Sequence, residues 1–350
     1  MSRTTLAALA VVVGVALALT AGANAATHSS RGPHWAITDL GTFGPRWTSS
    51  TATAINERGE VVGGNGTPGG KQHAFLWQNG TMQDLGTLGG RDSGASAINA
   101  SGQVIGTSLT SKPQRVHGFI WEDGRMTDLG TLGGKSSRPR ALNILGQVVG
   151  ESFTASGLVH AFLWQNGKMT DLGTLGSNFT SSSATAINGR GKVVGTSYLA
   201  KVTQAGQQGH AFVWQNGVMT DLGTLGAGYP TSEAVALNER GVVVGSSRSR
   251  TASARPVLWK GATIRPLYRG AAYGAVVTIN DRGQVIGTRV PTGGAFVHAF
   301  IWENGKLTDL GTLGGAESDA VAVNARNQIV GVSNTRRGAR HAVLWKLTQS

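Results

Sequence analysis

Six histidines and six aspartates stand at matched places along the chain. His73, His117, His160, His210, His298 and His341 open His-Ala-Phe stretches or close variants, and Asp39, Asp84, Asp128, Asp171, Asp221 and Asp309 each precede Leu-Gly. A histidine beside a carboxylate can serve as a general base held in one tautomer, or contribute to a metal site. A pair that returns in nearly every copy of a repeat is first of all a hydrogen bond that builds the repeat. Other chemistry is thinly represented. The absence of cysteine removes disulfides, thiolate metal sites and cysteine nucleophiles. G-x-S-x-G, H-E-x-x-H and calcium-loop patterns do not occur, so neither a cofactor nor a metal is expected. A glycosidase needs two opposed carboxylates, and outside the repeated aspartates the segments between repeats offer Asp92, Glu151, Glu233, Glu317 and Asp319. Residues 64–69 satisfy G-x-G-x-x-G but lead into a strand pattern rather than a helix, which excludes a dinucleotide site.

The elements that position these residues follow from a repeat. Trp77, Trp121, Trp164, Trp214, Trp259, Trp302 and Trp345 are spaced 44, 43, 50, 45, 43 and 43 apart. An Asn closing an Ala-Ile-Asn-like triplet keeps the same sevenfold count, at Asn56, Asn99, Asn143, Asn188, Asn238, Asn280 and Asn324. Each unit reads as four short strands. The first ends in the Asn, which opens a turn with Gly at its fourth position, and the second is Val-Val-Gly. The third is His-Ala-Phe-Leu-Trp, joined by Asn-Gly to a fourth ending in Asp-Leu-Gly, and Asn-Gly is the strongest two-residue hairpin signal. Counting back from Asn79-Gly80 sets Asp84 opposite Phe75, with His73 its diagonal neighbour. Strands that are apolar on both faces imply sheets packed on both sides.

The ends of the chain are complementary. The seventh unit stops after its third strand, while residues 36–41 supply a fourth strand with nothing before it. The expected fold is therefore an all-β, seven-bladed β-propeller of four-stranded blades, with the N-terminal strand closing the ring and hiding sheet edges. Composition agrees: 53 Gly is about twice the usual share of roughly 7%, which disfavours long helices. The first 25 residues, with Arg3, an apolar run and Ala-Asn-Ala, read as a secretory signal. Residues 26–34 form a linker and 35–350 one domain, secreted to the periplasm or beyond, monomeric and without a membrane span.

The His-Ala-Phe tripeptide, Trp-x-Asn-Gly and Asp-Leu-Gly-Thr-Leu-Gly-Gly resemble the HAF-repeat family of extracellular bacterial repeat proteins, over essentially residues 35–345. The resemblance implies an exported repeat protein and brings no activity with it. Unit five departs from the pattern, with Arg255-Pro256 in place of His-Ala and Pro266-Leu267 in place of Asp-Leu.

Lys and Arg outnumber Asp and Glu 31 to 18, giving a net charge of +13, so an anionic partner is expected. Most of the excess falls in the connections between second and third strands and between units, where 198–209 is read as the longest variable loop. Arg46, Trp47, Arg138, Tyr229 and Arg269 are expected to line a binding face, with Arg248, Arg336 and Arg337 around it. Cations interleaved with aromatics suit an acidic polysaccharide or extracellular nucleic acid. The function expected is non-catalytic binding or scaffolding. The alternatives are an extracellular polysaccharide hydrolase or lyase and a purely structural envelope protein.

Overall fold

Strands built from the repeat pair into seven antiparallel sheets among the described residues, six of four strands and the last of three. The structure, a computed structural model, describes residues 42–203, 206–251, 254–268, 274–291, 294, 296–323, 328–337 and 340–346. The signal and linker segments, the expected strand at 36–41 with Asp39, and Arg269, Tyr273 and Asn324 lie outside them. No helix among the described residues is long and apolar enough to cross a membrane.

The first sheet is representative, with strands Ser49–Ile55, Val61–Gly66, Gln72–Gln78 and Thr81–Asp84 in chain order. Its last hairpin turns through Asn79 and Gly80, both at positive φ (50° and 78°), as a two-residue hairpin turn demands. Successive sheets pack on one another in chain order, and the first strands of neighbouring sheets also meet. The fold is all-β and propeller-like.

Two features fix the packing inside each unit. The first strand bulges where it meets Val-Val-Gly, as at Ala95/Ala97, and the glycine opposite leaves room for it. A Cβ at Gly106 would fall 2.1 Å from the Gly94 carbonyl oxygen and 2.8 Å from the Phe119 ring. Over that gap lies the Phe of the repeat, and Phe75, Phe119, Phe162, Phe212 and Phe300 are all fully buried. The Trp markers are mixed: Trp121, Trp259 and Trp302 are buried, while Trp77, Trp164, Trp214 and Trp345 are half-buried. The reason is position, since Phe lies in mid-strand and Trp at the hairpin end, where cover is thinner.

What ties one sheet to the next is the Asn of the first turn. The Asn99 side-chain oxygen accepts the Ser101 and Gln103 amides, and its Nδ2 donates to Gln103 Oε1 and to the Asn143 carbonyl of the next unit (2.9 Å). The same inter-unit bond runs from Asn56 to Asn99 (3.0 Å), Asn143 to Asn188 (3.0 Å), Asn188 to Asn238 (3.3 Å) and Asn238 to Asn280 (3.1 Å). Asn99, Asn143, Asn188 and Asn238 are buried. Each therefore satisfies a side-chain amide that would otherwise be costly to bury. Asn143→Ala is expected to cost about 2–4 kcal/mol in a denaturant titration, four bonds at roughly 1 kcal/mol each. A loss below about 0.5 kcal/mol would show that the ladder is incidental.

Candidate functional site

The hairpin register brings each His of the third strand to the Asp of the fourth. Phe75 pairs with Asp84, and His73 Nδ1 lies 2.8 Å from Asp84 Oδ2. The same contact measures 2.8 Å for His117–Asp128, 2.8 Å for His160–Asp171, 2.7 Å for His210–Asp221 and 3.0 Å for His298–Asp309. The carboxylate has a second task. Its other oxygen accepts the amide of the Gly two residues on, as in Gly86 to Asp84 (2.8 Å) and Gly223 to Asp221 (2.7 Å), and so fixes the exit of the strand. His341 occupies the equivalent position in the seventh sheet, opposite Ser333.

His210 has acceptors on both ring nitrogens: Nδ1 faces Asp221, and Nε2 lies 3.2 Å from the Pro230 carbonyl. Two acceptors favour the form with two N–H donors, the imidazolium. The Asp221 hydrogen bond, with its charge and the Pro230 carbonyl, holds the His210 pKa above the ordinary 6.5 against the opposing effect of burial. Burial raises the Asp221 carboxyl, but the His210 hydrogen bond, the Gly223 amide and the His210 charge outweigh it and hold the pKa below 3.8.

Aromatic residues ahead of the first strand cover some of these histidines. Trp47 packs on His73 (5.1 Å between ring centres) and against Phe43 (4.9 Å), with Lys71 Nζ 5.5 Å from its ring. Phe179 packs edge-on against His210 (5.6 Å). Tyr229 holds the same place before the fifth sheet, where Arg255 stands instead of His.

Of the basic residues expected to form one face, Arg46, Trp47 and Tyr229 precede first strands, Arg248 ends a second strand, and Arg336 and Arg337 lie between second and third strands. All six sit at the same end of their respective sheets. Arg46, Arg336 and Arg337 are exposed, whereas Arg248 is paired with Glu233 at 3.2 Å. Arg138 differs. It lies within the strand Gly133–Leu142, exposed and opposite Glu151, because that strand begins at the first Gly of the Gly-Gly element and leaves little loop. Asp92, Glu151, Glu233, Glu317 and Asp319, expected in connections, likewise all lie in strands. The expected loop at 198–209 is mostly a hairpin extension, Val193–Thr203 paired with Gly206–Gln215. Glu151 pairs with Arg140 at 3.0 Å. Burial, followed by the Glu233 carboxylate, pushes the Tyr198 phenol up from its ordinary value, with Glu151 adding to the rise.

The functional residues that sequence reasoning missed are serines. Ser93 Oγ accepts the Ala74 amide of the preceding sheet (2.9 Å) and donates to the Gly86 carbonyl. Ser137, Ser182, Ser232 and Ser318 repeat this on Gly118, Ala161, Ala211 and Ala299. A second set, Ser108, Ser152, Ser197, Ser247 and Ser333, accepts the amide of the Leu that follows Asp-Leu-Gly-Thr. The signal was present, since each serine of the first set precedes its Asn marker by a constant interval.

No family model matches the chain, and no curated protein matches it. Among solved structures it is similar to a puromycin-hydrolyzing peptidase from Mycobacterium tuberculosis, with a TM-score of 0.53 and 14% identity, covering 85% of this chain and 51% of that one. An acylaminoacyl peptidase from Pyrococcus horikoshii gives 0.52 and 10%, covering 86% and 53%. A fungal lectin from Aleuria aurantia, described as a six-bladed β-propeller, gives 0.36 and 11%, covering 71% and 89%. The peptidase likeness shows the fold alone. The chain spans about half the length of the peptidases it matches.

The two shifts give the His210–Asp221 pair a pH signature. A raised His pKa stabilises fully below about 6.5 and fades as pH rises through the folded value; a lowered Asp pKa stabilises above about 3.8 and fades as pH falls through its folded value. His210→Gln is therefore expected to lose more stability at about pH 5 than at about pH 8.5 in parallel thermal melts. An equal loss at both would mean that the pair gains nothing from charge.

Proposed function

We propose that this chain is an exported, non-catalytic binding or scaffolding propeller that holds an acidic extracellular polysaccharide at the end of its sheets where the strand connections gather. The observation that carries the reading is the set of exposed arginines there, Arg46, Arg336 and Arg337, against a chain charge of +13. Guanidinium groups on a rigid frame pair with carboxylates at little ordering cost. Polysaccharide is preferred to nucleic acid because base binding needs free ring faces, and Trp47 and Phe179 are packed on the histidines of their own sheets. The resemblance to HAF-repeat proteins and the leader-like first 25 residues support export.

The frame in this reading is a ring of seven blades, in which residues 36–41 complete the seventh sheet beside 341–345. Two observations at the first sheet support closure. Ile55 is 66% exposed, whereas Ile279, its counterpart in the sixth unit, is 6% exposed. Ser50 is exposed, whereas its counterparts Ser93, Ser137, Ser182, Ser232 and Ser318 are buried between sheets. Both residues lack the neighbour that every later sheet has, and the seventh blade is the neighbour a ring would bring.

Retention on immobilised polygalacturonate should fall steeply as salt rises, and fall further in an Arg46→Glu, Arg138→Glu, Arg336→Glu variant. Salt-insensitive retention, or retention on single-stranded DNA but not on the polysaccharide, would overturn the reading. Deleting residues 26–44 should lower the melting temperature sharply by opening the ring. An equally stable truncation would rule closure out.

A further inference from the structure

Among the described residues, the stitching described above changes at the junction after the fifth sheet. Between the fifth and sixth sheets, Arg255 replaces His, Pro256 replaces the Ala whose amide a serine would accept, and Pro266 replaces Asp. Tyr268 replaces the Gly that follows Asp-Leu, Gly274 takes the first serine position and Arg289 the second. Proline has no N–H to give and Gly274 no hydroxyl to receive one, so donor and acceptor vanish together. The hairpin itself survives, with the Leu267 amide bonded to the Pro256 carbonyl at 3.0 Å. The backbone of the hairpin is thus kept while its polar stitches are exchanged.

Of the exchanged residues, Tyr268, Gly274 and Arg289 lie together. The Tyr268 ring packs among Val244, Leu258, Leu267 and Val276, edge-on to Phe300 at 6.1 Å. Its hydroxyl lies against Gly274, where an added Cβ would come within 2.9 Å of it. Gly274, Ala275, Thr288, Arg289, Val290 and Val297 line a cleft of about 260 Å³. Burial pushes the Tyr268 phenol up to about 12, with Arg289 and then Arg255 pulling the other way, so both guanidinium charges act on this hydroxyl and it remains a neutral donor. The Nε atoms of Arg255 and Arg289 are buried with no hydrogen-bond partner. The acid near Arg289 is Asp309, 3.8 Å away and already engaged by His298 at 3.0 Å and the Gly311 amide at 2.8 Å. Buried N–H donors without partners call for an acceptor from outside.

We propose that this junction binds the carboxylate of one uronate unit of an acidic polysaccharide, held by Arg255 and Arg289 with the Tyr268 hydroxyl beside it. Two guanidinium groups match a carboxylate in charge and shape. Val290, Val297 and Ala275 offer an apolar wall to the C–H face of a sugar ring, and the cleft is of single-ring size. Because the Tyr268 ring is packed in the core, a stacked base gains nothing here. The proposal rests on the polysaccharide reading above and narrows it to one subsite.

The test is calorimetric titration with trigalacturonate and with its neutral counterpart, galactotriose, alongside retention on polygalacturonate. Trigalacturonate is expected to bind at least tenfold more tightly than the neutral trimer. The variant Arg255→His, Arg289→Ser restores residues that other repeats carry and is expected to keep the melting temperature, while trigalacturonate affinity falls at least tenfold. Should that variant fail to fold, Tyr268→Phe provides the second measurement, with a loss of at least threefold expected. Polymer retention by the native protein together with unchanged trimer affinity in the variants would overturn the subsite and leave the binding face standing. Loss of both retention and trimer binding in the native protein would overturn both, and equal affinity for the neutral trimer would overturn the subsite alone.

Discussion

One side-chain amide per unit holds this molecule together. In the first five units the Asn that ends the first strand closes its own turn through Oδ1 and reaches across to the backbone of the next unit through Nδ2. Hydrophobic contact between sheets is non-directional and would tolerate sliding; a hydrogen bond from one turn to the next does not. It fixes how far each sheet advances relative to its neighbour, and the Ala, Val and Phe contacts then fill the space so defined. The serines repeat the arrangement farther along the sheet, so neighbouring sheets are pinned at both ends.

The His–Asp pairs lie near the connections and serve two masters, the third strand through His and the strand exit through the Gly amide. Where Trp47 or Phe179 is present, the histidine is also covered by a ring. Polar residues that are repeated are thus consumed by structure. Binding chemistry has to come from positions that do not repeat, which is why the arginines around the connections and the altered fifth unit carry the functional argument.

The repeat, its four-stranded unit and the hairpin register were legible because they depend on neighbours in sequence: Asn79-Gly80 sets which residues face each other, and Asp84 lies opposite Phe75 by simple counting. What was not legible depends on partners in another sheet. Ser93 looks like any polar residue in a Gly-rich stretch until Ala74 of the preceding sheet is placed over it. The Asn marker was visible as a turn residue, yet its second role required knowing that Asn143 follows Asn99 in space as well as in sequence. Strand ends were misjudged where glycine or polar residues suggested loops. Gly133 starts a strand, and Val202 and Thr203 pair with Gln207 and Gly206 well beyond the expected end.

The inter-unit Asn bond has a direction: among the described residues the first five units donate forward, and the second to sixth accept from behind. A unit therefore carries both halves of the joint it forms, and any two units can be joined without inventing a new contact. Duplication or loss of the DNA encoding one whole unit would leave every remaining joint satisfied, so copy number can change in a single genetic step. Drift is then free to act on one copy at a time, as the fifth has drifted, while its neighbours keep the architecture.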